Sequence, residues 1–218
     1  MESPIPPHHQ QPHRQPHQVN LDLVRDFWKW FNDNQNNFGN KFENKELLED
    51  LDEWIRKLGP FAWEVGPGIS KANLLVVSPG NIFELLALTK EVVSYASQLR
   101  DWEIYYAKPP KNWDFEYYFQ DTGSERLLIN ASNWRYILFQ YEDGQFEILV
   151  EAGNISGLKD DEKLAAAEIV LEGILGEEIM IVSVCGVEVV ATLEAKYASK
   201  AINGQKLKDH LVRFFAQN

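Results

Sequence analysis

The stretch Arg135-Tyr136-Ile137-Leu138-Phe139-Gln140-Tyr141-Glu142-Asp143-Gly144-Gln145-Phe146-Glu147-Ile148-Leu149-Val150-Glu151 decides the fold. Two runs rich in β-branched and aromatic residues meet at Asp143-Gly144, the strongest short turn signal in the chain, so 135–141 and 146–151 read as a β-hairpin. Downstream, Asp160 to Leu175 places Leu164, Ala167, Leu171 and Ile174 on one helical face, and Gly176 ends the helix. Ile179 to Val184 and Val187 to Thr192 then read as two strands split by Cys185-Gly186.

The same order stands about 73 residues upstream. Phe61 to Val65 and Leu74 to Ser78 read as strands. A helix from Ile82 to Leu99 follows, with Leu85, Leu88, Val92, Ala96 and Leu99 on its apolar face. Strands at Trp102 to Ala107 and Phe115 to Phe119 flank a Pro-Pro loop. The reading is α+β, with two similar strand-strand-helix-strand-strand halves. Chance recurrence of hairpin–helix–strand orders is the competing account. Two helices precede the halves: one opens at Asn20 with Leu21, Val24, Trp28 and Phe31, the other carries Leu47, Leu48, Leu51, Ile55 and Leu58 and stops at Gly59-Pro60. A C-terminal helix capped by Asn203 carries Leu207, Leu211 and Phe214. This divides one compact domain into a tail (1–18), a helical segment (19–60), a first half (61–131) and a second half with the last helix (132–218).

At 218 residues the chain is long enough to bury roughly 70% of its unfolded surface without disulfides or metals. The tail holds five Pro, four His and four Gln and almost no apolar residue, so it reads as disordered, and its irregularly spaced histidines do not make a metal site. A net charge of −12 argues against nucleic acid and anionic membranes as partners. No apolar run reaches the length of a membrane span and the N-terminus lacks a signal-peptide core, so the expected location is the cytoplasm. Lone Cys185 excludes an internal disulfide.

Catalytic signatures are missing. There is no Walker A, CxxC, HExxH or GxSxG, and Gly66-Pro67-Gly68 lacks the third glycine and the helix a dinucleotide fingerprint needs. Cys185 and His210 could form a thiol–imidazole pair, but Cys185 sits between apolar strands among acids and reads as buried filler, and His210 as a half-buried packing residue. The span 142–178 contains eleven acids and two lysines, a net −9. Asp160, Asp161 and Glu162 suit the positive end of a helix, and Glu168 and Glu172 read as a solvated face. The functional alternative is that this acidic surface receives a basic partner protein.

The remaining candidates come from the aromatics and one loop. In Trp63-Glu64 and Trp102-Glu103 the tryptophans should face the core and the glutamates solvent. Lys108-Pro109-Pro110-Lys111-Asn112-Trp113 presents two lysines on a stiff backbone beside an indole, either a surface turn or a binding loop for an anion or an acidic or aromatic ligand.

Trp63 to Gly68, Asn73 to Pro79 and Trp102 to Trp113 together resemble an uncharacterised bacterial protein family. The resemblance is strongest from 61 to 114 and excludes the tail. It implies bacterial origin and an α+β body and supplies no catalytic residue.

The expected function is therefore binding without catalysis, cofactor or metal, with another protein as partner, a basic one in the immunity or inhibitor version of this reading. The binding residues read from the sequence are Lys108, Lys111, Trp113, Trp63, Glu64, Glu142 and Asp143. The alternatives are a carboxylate enzyme on a small or carbohydrate-like substrate and a small-ligand sensor using the Lys108–Lys111 loop. Oligomeric state is left open.

Overall fold

A computed structural model describes residues 18–39, 41–120, 122–123 and 126–217. The histidine-rich tail lies outside the described residues, apart from Gln18. Asn20 and Asn44 accept from backbone N–H groups in the first turns of α1 (Leu21–Asn34) and α2 (Lys45–Leu58), satisfying donors that have no intrahelical acceptor. The first sheet contains β1 (Ala62–Pro67), β2 (Asn73–Ser78) and β3 (Trp102–Tyr105), ordered β1-β2-β3. β1 and β2 are antiparallel, and α3 (Phe83–Ser94) carries the chain across to β3, parallel to β2.

The hairpin β4 (Glu116–Gln120) and β5 (Arg126–Asn130) follows as a sheet of its own. The second three-stranded sheet repeats the first: β6 (Arg135–Gln140) and β7 (Phe146–Glu151) are antiparallel, and α4 (Asp160–Leu175) with α5 (Glu177–Ser183) leads to β8 (Val184–Val190), parallel to β7. A short helix, α6 (Ala195–Ala198), and α7 (Gly204–Gln217) close the chain. The architecture is α+β, with two N-terminal helices and a C-terminal helix around two units of one topology.

Strand alternation sorts the two sheets' faces. Trp63, Val65, Leu75, Val77, Trp102 and Ile104 pack with α1, α2 and α3 in one core. Trp102 meets Phe31 edge-on at 5.0 Å, and the buried Trp28 Nε1 donates to Val92 O at 2.7 Å. Tyr136, Phe146, Ile148 and Val150 pack with α4, α7 and the β4–β5 hairpin in a second core. Ile137, Leu149 and Leu193 form a smaller cluster on the opposite face of that sheet. No helix among the described residues is long and apolar enough to cross a membrane.

Four local expectations need correction. The strand expected at 179–184 is α5: left-handed Gly176 (φ 85°) stops α4, and Glu177 and Glu178 restart a helix at its positive end. Cys185-Gly186 does not split two strands. It lies within β8, where the register shifts by one residue, so the break in pattern is a bulge that leaves Cys185 exposed rather than buried, its Sγ against Phe146 O at 3.2 Å. Helix α3 stops at Ser94, a turn early, although Ala96 and Leu99 still join the first core. Strand β5 had no counterpart in the sequence reading, because Asp121-Thr122-Gly123-Ser124-Glu125 separates it from β4 without a two-residue turn signal.

Candidate functional site

The loop Lys108–Trp113 leaves β3 and runs as a strap over α4 and α5, where it stitches the two units together. Lys108 and Glu177 exchange two hydrogen bonds: Lys108 N donates to Glu177 Oε2 at 2.8 Å, and Glu177 N donates to Lys108 O at 2.8 Å. Lys111 N donates to Gly173 O at 2.8 Å. Pro109 and Pro110 have no N–H to satisfy and hold the backbone extended between these anchors.

Glu177 has no exposed surface. Its Oε1 accepts from Ser78 Oγ at 2.7 Å and from Asn81 N at 3.0 Å, so one carboxylate gathers the end of β2, the β2–α3 turn and the strap. A buried carboxylate needs such a full set of donors. The turn that delivers Asn81 N–H is left-handed at both Gly80 (φ 63°) and Asn81 (φ 61°), conformations that Gly and Asn adopt most readily.

Two further acids complete the junction. Glu172 takes Lys108 Nζ at 3.0 Å and Asn81 Nδ2 at 3.2 Å. Glu178 takes Lys90 Nζ at 2.5 Å and Tyr106 OH at 2.6 Å. Burial pushes the Glu178 carboxyl up, but the bonds from Lys90 and Tyr106 outweigh it and leave it below the ordinary value. The Tyr106 hydroxyl is pushed up to about 12, chiefly by its bond to Glu178. Close packing accompanies the charges. A Cβ on Gly173 would fall 2.7 Å from the Trp113 ring, and one on left-handed Gly176 would fall 2.9 Å from Pro110.

Two clefts flank the strap. The front cleft, about 380 Å³, lies against the first sheet, with Leu74 and Val76 among its apolar lining and Pro109, Pro110 and Trp113 on the strap side. Glu64, Lys108 and Lys111 also line it. Lys108 is held by Glu172, whereas Glu64 and Lys111 have no side-chain partner among the described residues. The rear cleft, about 190 Å³, is shared by Lys111, Asn112 and Trp113 with the start of α7.

Of the binding residues read from the sequence, Lys108, Lys111, Trp113 and Glu64 thus come together. Trp63 points to the other face of β1, packs in the first core and donates Nε1–H to Asp52 Oδ1 at 2.9 Å. Glu142 and Asp143 are exposed at the β6–β7 turn, where Asp143 Oδ1 accepts from Gln145 N at 3.0 Å. Glu172 is not part of a solvated face, as its bonds to Lys108 and Asn81 show. Glu168 is exposed and lines with Glu172 and Cys185 a separate cleft of about 240 Å³. His210 is exposed rather than half-buried, and lines another cleft with Lys206 and Arg213. Cys185 and His210 are therefore on different clefts.

Glu103 was expected in solvent and is buried instead. The 69–71 turn aims three consecutive N–H groups, from Ile69, Ser70 and Lys71, at its carboxylate at 2.7, 2.6 and 3.0 Å. Burial raises this carboxyl, and the N–H donors more than reverse that. Glu162 does the same for the β4–β5 turn: Thr122 Oγ1 and N donate to it at 2.6 and 3.0 Å and Lys159 N at 3.0 Å, holding its carboxyl down at about 2. Glu151 accepts from Arg135 and from Leu193 N, and both hold it below its ordinary value. Among the described residues, no three His, Cys, Asp or Glu side chains gather as a metal would need.

Sequence reasoning missed Ser78, Asn81 and Glu177. The available signals were the Gly80-Asn81 turn and an acid pair placed directly after a helix-stopping glycine. No family model, no curated protein and no solved structure matches the chain.

Proposed function

We propose that this protein is a binding module that receives an extended segment of another protein in the front cleft, between the first sheet and the strap. The observation that carries the reading is the lining itself: Leu74, Val76, Pro109 and Pro110 offer apolar contact, while the Glu64 and Lys111 side chains have no partner among the described residues. Pocket walls of this kind recognise side chains by burial and fix their direction with a few charges. The strap is tied at Lys108 and Lys111 before any ligand arrives, so little ordering entropy is lost on binding.

Glu64 supplies the charge for a basic residue of the partner, in keeping with the basic partner expected from the acidic composition. The surface differs from the one the composition suggested, because Glu151, Glu162, Glu172, Glu177 and Glu178 of the 142–178 span are engaged internally. Two-carboxylate hydrolysis is the weaker reading for this cleft, since Glu64 is the single carboxylate in its lining.

Selection of random peptides displayed on phage against the immobilised full chain tests this. Enriched peptides should carry a basic residue beside an apolar one, and their affinity for Glu64→Lys should fall at least tenfold, about 1.4 kcal/mol. Lys111→Glu should shift selection toward a second basic residue. Absence of enrichment, or peptides that bind Glu64→Lys and Lys111→Glu as they bind the natural protein, would overturn the reading.

A further inference from the structure

We infer that the rear cleft is a binding site for a phosphoryl group. Lys111 on the strap and Lys208 on α7 are far apart in the chain, yet both line this one small cleft. Neither ammonium has a carboxylate partner among the described residues, in a chain with an excess of twelve acids. At the junction beside it, Lys90 is paired with Glu178 and Lys108 with Glu172. The rear cleft has no carboxylate in its lining. Asp209, the acid next along α7, lines a different cleft and accepts from Gln205 Nε2 at 3.0 Å. Two cationic residues lining one small cleft with no opposing carboxylate favour an anion there.

The other lining groups suit the same occupant. Asn112 offers a side-chain amide, and Gly204 and Gln205 open α7 there. Asn203 accepts the N–H of Lys206 on its side chain at 3.0 Å and that of Leu207 on its carbonyl, which leaves the N–H groups of Gly204 and Gln205 for a ligand. Gly204 lets this end of the helix sit close, because a Cβ would fall 3.0 Å from Ile174 Cδ1. Two ammonium groups match a dianion, which distinguishes a phosphoryl group from a single carboxylate. Ile69, Phe115 and Ile174 line the rest, so the phosphoryl group is carried on an organic body. That body is either a small phosphate ester or a phosphorylated side chain of a bound segment. The second source rests on the proposed function, since the segment would continue past Lys111 and Trp113, which line both clefts, into the front cleft. The site itself does not.

Titration of the ¹⁵N-labelled full chain with sodium phosphate, O-phosphoserine and a phosphoserine peptide tests the site, against sodium chloride and sodium acetate at matched ionic strength. The readout is the indole N–H resonance of Trp113, assigned with Trp113→Phe, together with the amides of Lys111 and Gly204. Saturable shifts are expected with the phosphoryl probes, weakened at least tenfold in Lys208→Gln and in Lys111→Gln and unchanged in Glu64→Gln. A phosphopeptide that binds tenfold tighter than phosphoserine assigns the group to a partner segment. Equal affinity assigns it to a small ester. Shifts that do not saturate by about 10 mM, that acetate reproduces, or that persist in a folded Lys208→Gln overturn the inference. Failure of peptide selection at Glu64 with phosphate binding intact removes the proposed function and leaves this site standing.

Discussion

The two ββαβ units share strand order and register type but use charge in opposite ways. In the first unit the crossover is α3 alone, and that helix and the unit's loops present donors: Asn81 N–H, Lys108 N–H and the ammonium groups of Lys90 and Lys108. In the second the crossover is extended by α5, and the added turn carries Glu177 and Glu178 to face those donors. Duplicated topology supplies two similar platforms. The inserted helix turns one into the acceptor for the other. The acid that loads the 142–178 span is thus in good part an internal adhesive, and the asymmetry between the units is the physical basis of their contact.

Breaking the acceptor side should have the largest effect. Glu177→Ala leaves Ser78 Oγ, Asn81 N–H and Lys108 N–H without their acceptor at a buried position and should cost about 3–5 kcal/mol. Urea denaturation should then show the loss, and hydrogen exchange should report earliest opening at Asn81 and Lys108. Glu177→Gln keeps one acceptor oxygen and should lie between the two. A single cooperative transition of unchanged midpoint in Glu177→Ala would show that the units do not depend on this contact.

Acid should act on the same features. Glu103, Glu151, Glu162 and Glu178 all have folded-state carboxyls below their ordinary value. Depressed values stabilise the fold above the unfolded range and lose that contribution as pH falls through the folded values. Stability should therefore be flat near neutrality and decline from about pH 4.5 toward about 2, the value to which Glu162 is held. Thr122→Val removes a donor to Glu162, moves its folded-state value back toward the unfolded one, and should make its part of the decline smaller and end at higher pH, measured as Tm against pH.

A packing test sharpens the comparison further. Gly173→Ala gains about 1 kcal/mol of helix propensity, but its Cβ meets the Trp113 ring at 2.7 Å. Overpacking costs about 1–3 kcal/mol, so the net should be a destabilisation of about 1 kcal/mol. Combined with Trp113→Ala, the same substitution should become stabilising. The last effect, no larger, lies at the β6–β7 turn, remote from the junction. Gly144 is left-handed (φ 82°) with open space at its Cβ position, so Gly144→Ala should cost only the backbone strain, about 1 kcal/mol.

The chain's periodicities made much of the fold legible. The Asp143-Gly144 hairpin, the helix ended by Gly176 and the asparagine caps of α1 and α7 follow from local chemistry, and each is found in the structure. Residues 179–184 misled for a stated reason: a short β-branched run fits strand or buried helix equally, and here the bonds of Glu177 to the strap settle it. Glu103 misled because a strand's outward face is solvent only if no turn folds over it. At the site, the stiffness of Lys108–Trp113 was readable from Pro-Pro, but the partners of Lys108 lie 64 and 69 residues away.

By itself the sequence determined the long helices, the Asp143-Gly144 hairpin, the repetition of one unit, and the stiff lysine-bearing strap, because caps, turns and apolar periods act over a few residues. Only the tertiary structure decided which charges remain free. Most of the charged groups that compose the −12 could pair within the fold or face outward, and that choice depends on which loops are brought within 3 Å of them. Glu172, Glu177 and Glu178 are satisfied by the first unit, while the side chains of Glu64, Lys111 and Lys208 have no partner among the described residues.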